Sequence, residues 1–283
     1  MSTLAFCAVI GAALLHAGWN ALLKSGADKF ALMTAVTLGH LPLAVLAVAT
    51  LPVPARESWG FLLAGMTLHL CYQLVLTLAY RIGDLSQVYP IARGTAPLVV
   101  ACVSVIALGV HLTTPELLGI AIIGAGILSL ALVRRSDGQR NPAAAALALV
   151  TGLFIAAYSL IDGMGARASG SPVAFYGWVS MGTALSFTLM MGLTRPRTLK
   201  TAVTSLKLRG LIGGTASFVA FAMIMWAFTQ APIALVTALR ETSIVFALLI
   251  GVLLMGERLD LAKLVSTFTT LLGAALLRFA RHL

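Results

Sequence analysis

Charge is scarce in this chain. Only 10% of its 283 residues are Asp, Glu, Lys or Arg, and nine acids face 19 basic residues. A soluble domain carries charge at roughly 25% of its positions, so an ordinary water-facing surface is excluded. Cysteine is rare as well. Cys7, Cys71 and Cys102 all fall inside apolar stretches, which argues against a disulfide framework and makes them small apolar fillers. Room for a soluble domain is missing too, because the links between apolar runs are short.

Apolar sequence fills the space these absences leave. Hydrophobic residues make up 60% of the chain, with a mean hydropathy of +1.00. They cluster in runs, and a helix crossing about 30 Å of hydrocarbon needs roughly 20 residues. Ten candidate spans follow: 3–23, 30–51, 58–80, 86–109, 116–133, 143–163, 172–193, 210–229, 232–255 and 261–279. In lipid the backbone must satisfy its own hydrogen bonds, so only helices or a closed barrel remain; continuous runs without strict alternation choose helices. The expected fold class is an all-α polytopic membrane protein.

The net charge of +10 suggests nucleic acid in a soluble chain, but its placement argues otherwise. Counting loops from the N-terminus puts thirteen basic residues on one side, among them Lys24, Arg81, Arg134, Arg195 and Arg209. The other side holds four, Arg56, Arg167, Arg278 and Arg281. This bias makes the first side cytoplasmic and places both termini outside, in the periplasm of a bacterial-type inner membrane. No nucleic-acid partner is expected; the lipid bilayer is. The N-terminus lacks a basic n-region and a persuasive cleavage site, so the first run is expected to stay as a span.

Shifting the chain by 147 residues aligns the ends of two halves. Arg93, Thr95, Val105, Gly109, Leu112, Leu117, Gly126 and Leu130 fall on Arg240, Thr242, Val252, Gly256, Leu259, Leu264, Gly273 and Leu277. More faintly, LLHAGWNALLKSG lies over LFIAAYSLIDGMG. The halves are then 3–137 and 138–283, each with five spans, so the second sits inverted relative to the first. Inverted repeats are a transporter signature, with sites near the midplane between them. The polar segment RRSDGQRNP joins the halves. In the loop 194–209, Leu199, Val203 and Leu206 alternate with basic residues; a short interfacial helix and a solvated linker both fit.

The buried charge is where chemistry is expected. A charged residue at the bilayer centre costs at least about 2.5–3.5 kcal/mol, so Arg93 and Arg240 should face an interior or a partner. Each lies about eight residues into its span, roughly 12 Å deep at 1.5 Å per residue, from opposite sides. Pro90 and Pro97 bracket Arg93 and each removes a helix hydrogen bond. A guanidinium suits a carboxylate, so both arginines are candidate substrate contacts, Arg93 the stronger; the alternative for each is a protein acid or backbone carbonyls. Glu241 is either a proton carrier or a counter-charge. Adjacent helix residues point about 100° apart, so its expected partner is Arg93 rather than Arg240.

Polar stripes at i, i+4 spacing add candidate binding residues: His16 and Asn20; His69, Gln73 and Thr77, with Tyr80 nearby; Tyr89 before Arg93; and Tyr158 before Asp162. Trp19, Phe221 and Trp226 could wall a cavity, the alternative being interfacial belts and interhelical hydrogen bonds. Asp162 reads as a solvated helix end. His16, His40 and His69 come from separate helices without ligand spacing, so no metal is expected, and no cofactor or catalytic set appears. Gly119, Gly124, Gly126, Gly177 and Gly182 read as close helix contacts.

HAGWNALLKSGAD at 16–28, ALRETSIVFALLIGVLLMGERL at 238–259 with its Gly256-Glu257 end, and the paired halves resemble the EamA-type branch of the drug/metabolite transporter superfamily. Within it the chain is most similar to the YddG-like exporters of aromatic and other amino acids. The resemblance implies a basket of ten helices in two inverted repeats, with spans 1, 3, 4, 6, 8 and 9 around a central cavity and 5 and 10 as braces. It implies a non-enzymatic secondary carrier that exports amino acids or similar amphipathic metabolites by alternating access; a monomer is expected. The alternatives are an exporter of cationic drugs or other metabolites, a passive channel and, further off, an integral-membrane enzyme. Two departures stand out. Thr242 occupies a position where many relatives have proline, and the first span lacks the glutamate of the small multidrug pumps.

Overall fold

The computed structural model describes residues 1–25, 28–83, 85–132, 141–255 and 261–280. They form helices throughout, with no strand among the described residues. In chain order these are α1 (Thr3–Ser25), α2 (Lys29–Gly39), α3 (Leu41–Thr50), α4 (Trp59–Ile82), α5 (Leu85–Ile106), α6 (Thr114–Leu132) and α7 (Pro142–Ala168). The rest are α8 (Pro172–Thr194), α9 (Pro196–Thr204), α10 (Lys207–Gln230), α11 (Ile233–Arg240), α12 (Ser243–Met255) and α13 (Leu261–Phe279). Arg134, Arg135 and Arg140 of the joining segment, the boundary at 137, and the Gly256-Glu257 element with Leu259 lie outside the described residues.

Among the described residues eight stretches are long and apolar enough to cross a membrane, α2–α3 and α11–α12 each counting as one; Thr114–Ser129 and Leu264–Phe279 are apolar but shorter. The burial pattern is that of a protein in lipid. Large apolar side chains such as Leu193, Leu253, Leu254 and Phe268 point outward, while His16, His69, Arg93, Asp162, Arg240 and Glu241 are buried. Cys7 and Cys102 are also on the outer surface of the bundle rather than filling its interior.

Local sequence sets the ends. Asp28 caps α2 by accepting from the Ala31 N–H at 3.0 Å. Asn141 accepts from Ala143 and Ala144 at the start of α7, with Pro142 in the first turn, and its side-chain amide donates to the Ile82 carbonyl at the end of α4. Glu116 reaches back to the Thr113 N–H at 2.9 Å and starts α6. Arg167 donates to the carbonyls of Phe228 and Ala231, both at 2.8 Å, and closes the C-terminal end of α10.

Two spans expected as single helices are interrupted. Residues 30–51 divide at His40 into α2 and α3, where Pro42 enters the first turn of α3 and removes a donor. The ninth divides at Glu241–Thr242. By contrast, α5 runs on through Pro90 and Pro97. The basic loop after α8 contains a real helix, α9. Leu199 and Leu206 pack on a core cluster with Trp19, Phe30 and Met191, whereas Val203 is exposed.

The packing uses small residues. α6 lies along α13, α1 along α10 and α12, and α7 along both α4 and α5. A Cβ on Gly119 would stand 3.1 Å from the Gly273 carbonyl oxygen, and one on Gly273 only 2.7 Å from that of Gly119. Gly124 meets Leu98, Gly126 meets Thr269, Gly177 meets Ala47 and Gly182 meets Met66 at similarly close range, as expected for these glycines. Between α2 and α10 the approach is tighter: a Cβ on Gly39 would overlap the Gly210 carbonyl.

Candidate functional site

The interruption of the ninth span builds the site. From Ala238 to Val245 the backbone switches to i→i+3 bonds: Glu241 donates to Ala238, Thr242 to Leu239, Ile244 to Glu241 and Val245 to Thr242, at 2.9–3.1 Å. The Thr242 hydroxyl also donates to the Leu239 carbonyl, at 2.8 Å. A hydroxyl competing for helix carbonyls loosens the regular ladder, so the break forms without a proline. Arg240 therefore ends one helix and Glu241 precedes the next. Each charge sits at the helix end whose dipole favours it, which offsets part of the cost of burial in lipid.

Around this break the charges interlock. The Arg93 Nε stands 2.7 Å from Glu241 Oε2, an ion-pair contact across helices, with the N–H directed off the hydrogen-bond line. The other Arg93 nitrogens donate to Ser243 Oγ at 2.8 Å and approach His16 Nε2 at 3.1 Å. Trp19 Nε1 reaches the other ring nitrogen of His16 at 3.2 Å. A neutral imidazole has one acceptor nitrogen, so His16 accepts from Arg93 or from Trp19, not from both. Tyr89 stacks near the Arg93 guanidinium at 5.7 Å.

Arg240 is bound differently. Its Nε is 3.8 Å from Glu241 Oε1, and its guanidinium lies 5.9 Å from the centre of the Tyr158 ring. It is only 2% exposed, yet Nε and one terminal nitrogen have no hydrogen-bond partner; neither has Glu241 Oε1. Buried donors and acceptors are nearly always satisfied in native proteins, so this trio stands out.

Beside it, His69 stacks on Tyr158 with ring centres 4.3 Å apart, and its Nε2 meets Asp162 Oδ2 at 2.7 Å. Tyr72, Phe221 and Tyr176 extend the aromatic cluster, Tyr176 and Phe221 stacked at 5.5 Å. Polar head and aromatic wall thus adjoin in the interior of the bundle.

Residues 142–279 match the sequence model of the EamA-like transporter family. The chain carries an EamA-like transporter domain. That domain is the mark of a transporter family, and the apolar stretches among the described residues are those of a multi-pass membrane protein. A solved crystal structure is similar over 100% of this chain and 99% of its own, with a TM-score of 0.76 at 20% identity, a likeness of fold alone. No curated protein matches the chain.

The EamA-like domain and the helices before it bring together most of the residues singled out in the sequence. Arg93, Arg240, Glu241, His16 and Tyr89 form one network; His69 and Tyr158 border it. Glu241 pairs across helices with Arg93, as the helical angle predicts. Gln73 is buried in the bundle with an unpartnered Oε1. Other candidates lie apart. The Asn20 amide turns back to the His16 carbonyl at 2.7 Å, Tyr80 packs on the cluster around Trp19 and Leu76, and Trp226 lines an apolar groove of ≈ 440 Å³ with Leu46, Ala47 and Phe218.

Asp162 corrects the sequence reading. It is 0% exposed, held by His69, and stands inside α7 rather than at a solvated end. The apolar run stops near 163, but the helix continues to Ala168, which carries the acid inward. Ser243 was also missed; it opens the helix after the break and accepts from Arg93 of another helix, a contact that no spacing along one helix marks. The three central histidines have separate partners: Arg93 for His16, Ser180 for His40 and Asp162 for His69. Among the described residues no metal-ligand group forms.

Proposed function

We propose that this protein is a secondary carrier that exports amino acids, or similar small amphipathic metabolites, by alternating access. The observation that carries the reading is the unsatisfied pair at the helix break. Arg240 offers free donors and Glu241 Oε1 a free acceptor, 3.8 Å from one another. An α-amino acid presents the complement, a carboxylate beside an ammonium. Its carboxylate would take the Arg240 nitrogens, its ammonium Glu241 Oε1, and its side chain the wall of Tyr158, Tyr72 and Phe221. Arg93, His16 and Ser243 would hold Glu241 in place. Gln73, His69 and Tyr89 would border the site.

Alternating access in this reading uses two inverted five-helix halves, 3–137 and 138–283, with both termini outside. The packing supports it, because exchanging the halves leaves the neighbours in place. α1 against α10 corresponds to α7 against α4, α1 against α11 and α12 to α7 against α5, and α6 with α13 maps on itself. The closeness to the YddG-like exporters belongs to the same proposal.

Exchange in proteoliposomes tests it. The expected result is saturable counterflow of an aromatic or aliphatic amino acid, lost on Arg240→Gln. Equal competition by the decarboxylated amine would favour a cation exporter instead and remove the carboxylate assignment.

A further inference from the structure

We propose that His69 and Asp162 form a proton-binding site of the transport cycle, joined to the substrate site through Tyr158. The inference rests on the carrier reading above; Asp162 takes no part in the amino-acid site, and His69 only borders it. The pair bridges α4 and α7, with a 2.7 Å contact between Nε2 and Oδ2. Asp162 is 0% exposed and its Oδ1 has no partner. That oxygen lies over Gly65, one turn before His69 on α4; a Cβ there would stand 2.7 Å from it. The helix thus supplies both the partner for one carboxylate oxygen and the bare backbone that admits the other. The Tyr158 stack and the edge of Phe221 at 5.8 Å close off the imidazole. Ionisable residues buried inside a membrane protein mark substrate pathways and proton relays, and an acid in contact with a base has the chemistry for the second.

The charges nearby are accounted for. Arg240 reaches the dyad from α11 through the Tyr158 ring, with Arg93 and Glu241 behind it. His40 faces from the α2–α3 junction, Tyr176 from α8, Tyr72 from α4 and Tyr158 from α7. With His69 neutral, the two arginines balance Glu241 and Asp162. The loading step adds one proton from water to the His69–Asp162 pair and leaves the centre at one positive charge; unloading returns that proton to water on the other side. No other bond changes. His69 and Arg240 share the Tyr158 ring, so a new charge on the imidazole competes with the guanidinium for the same π-system and alters what Arg240 offers the substrate.

Two arms test this, both on the intact protein. In proteoliposomes, a gradient of one pH unit should drive up to about tenfold accumulation of an amino acid for one coupled proton. Asp162→Asn should abolish accumulation while exchange persists, since exchange needs no proton to leave. Gly65→Ala, which keeps every charge and pushes on Oδ1, should weaken accumulation in the same way and guards against a folding failure. Accumulation indifferent to pH in the native protein, or unaltered in Asp162→Asn, overturns the proposal. If no amino acid exchanges at all, the substrate reading fails, and the second arm still decides. Histidine-selective nitrogen NMR in nanodiscs, assigned with His69→Gln, should show the His69 ring signal changing when the imposed pH is changed and responding to Asp162→Asn. A His69 signal indifferent to the imposed pH contradicts the proton site.

Discussion

Two buried arginines share one carboxylate, and this makes the effect of removing each of the three charges unequal. Glu241 faces Arg93 at 2.7 Å and Arg240 at 3.8 Å, all three at most 5% exposed. At an effective dielectric of 20 the two attractions are worth about 6 and about 4 kcal/mol before desolvation is subtracted. Glu241→Gln leaves two buried cations facing one another with neutral partners only. Breaking a buried pair in this way costs about 3–5 kcal/mol, and the second arginine puts the expected loss at the upper end. Arg93→Gln leaves Arg240 to neutralise Glu241, so the loss should be about 1.5–3 kcal/mol, that of a charged hydrogen bond. Adding Arg93→Gln to Glu241→Gln should then recover part of the stability, because one uncompensated cation is removed. Reversible unfolding in mixed micelles reads all three variants. Equal losses for the two single variants, or a double variant worse than their sum, would refute the shared-carboxylate geometry.

Other outcomes follow from particular contacts. Gly39→Leu should cost at least about 1–3 kcal/mol and reduce the yield of folded protein, because its side chain would occupy the Gly210 backbone. Thr242→Pro should cost about 1 kcal/mol, since the ladder is already broken there, whereas Phe246→Pro inside α12 should cost about 3 kcal/mol or more; thermal unfolding compares the two. Trp226→Ala should leave the KM for exchange within about twofold of native, since the ring lines the apolar groove away from the arginines.

Much of the site was legible because polar residues in an apolar sequence have few places to go. The 147-residue register paired Arg93 with Arg240, and the angle between neighbouring helix residues sent Glu241 across to Arg93. The break at 241–242 was harder to read, because Thr242 breaks the helix through its hydroxyl and i→i+3 bonds rather than by lacking a donor. At the second span the signal was present in Pro42, and the interruption at His40 follows from it. Trp226 and Phe221 were both expected to wall a cavity. Five residues apart on one helix they point about 140° from each other, and only Phe221 reaches the histidines. Asp162 escaped because hydropathy marks where apolar sequence stops, not where a helix does. Partner identity across helices, such as His69 for Asp162, is a property of packing that spacing along one helix does not encode.

The most direct measurement is exchange of a radiolabelled amino acid by purified protein in proteoliposomes, competed in turn by the unlabelled amino acid, its decarboxylated amine and its deaminated acid, with Arg240→Gln beside the native protein. A head group held between Arg240 and Glu241 requires that only the intact amino acid compete fully and that Arg240→Gln abolish exchange while remaining folded. Full competition by the amine, with exchange surviving in Arg240→Gln, would contradict it.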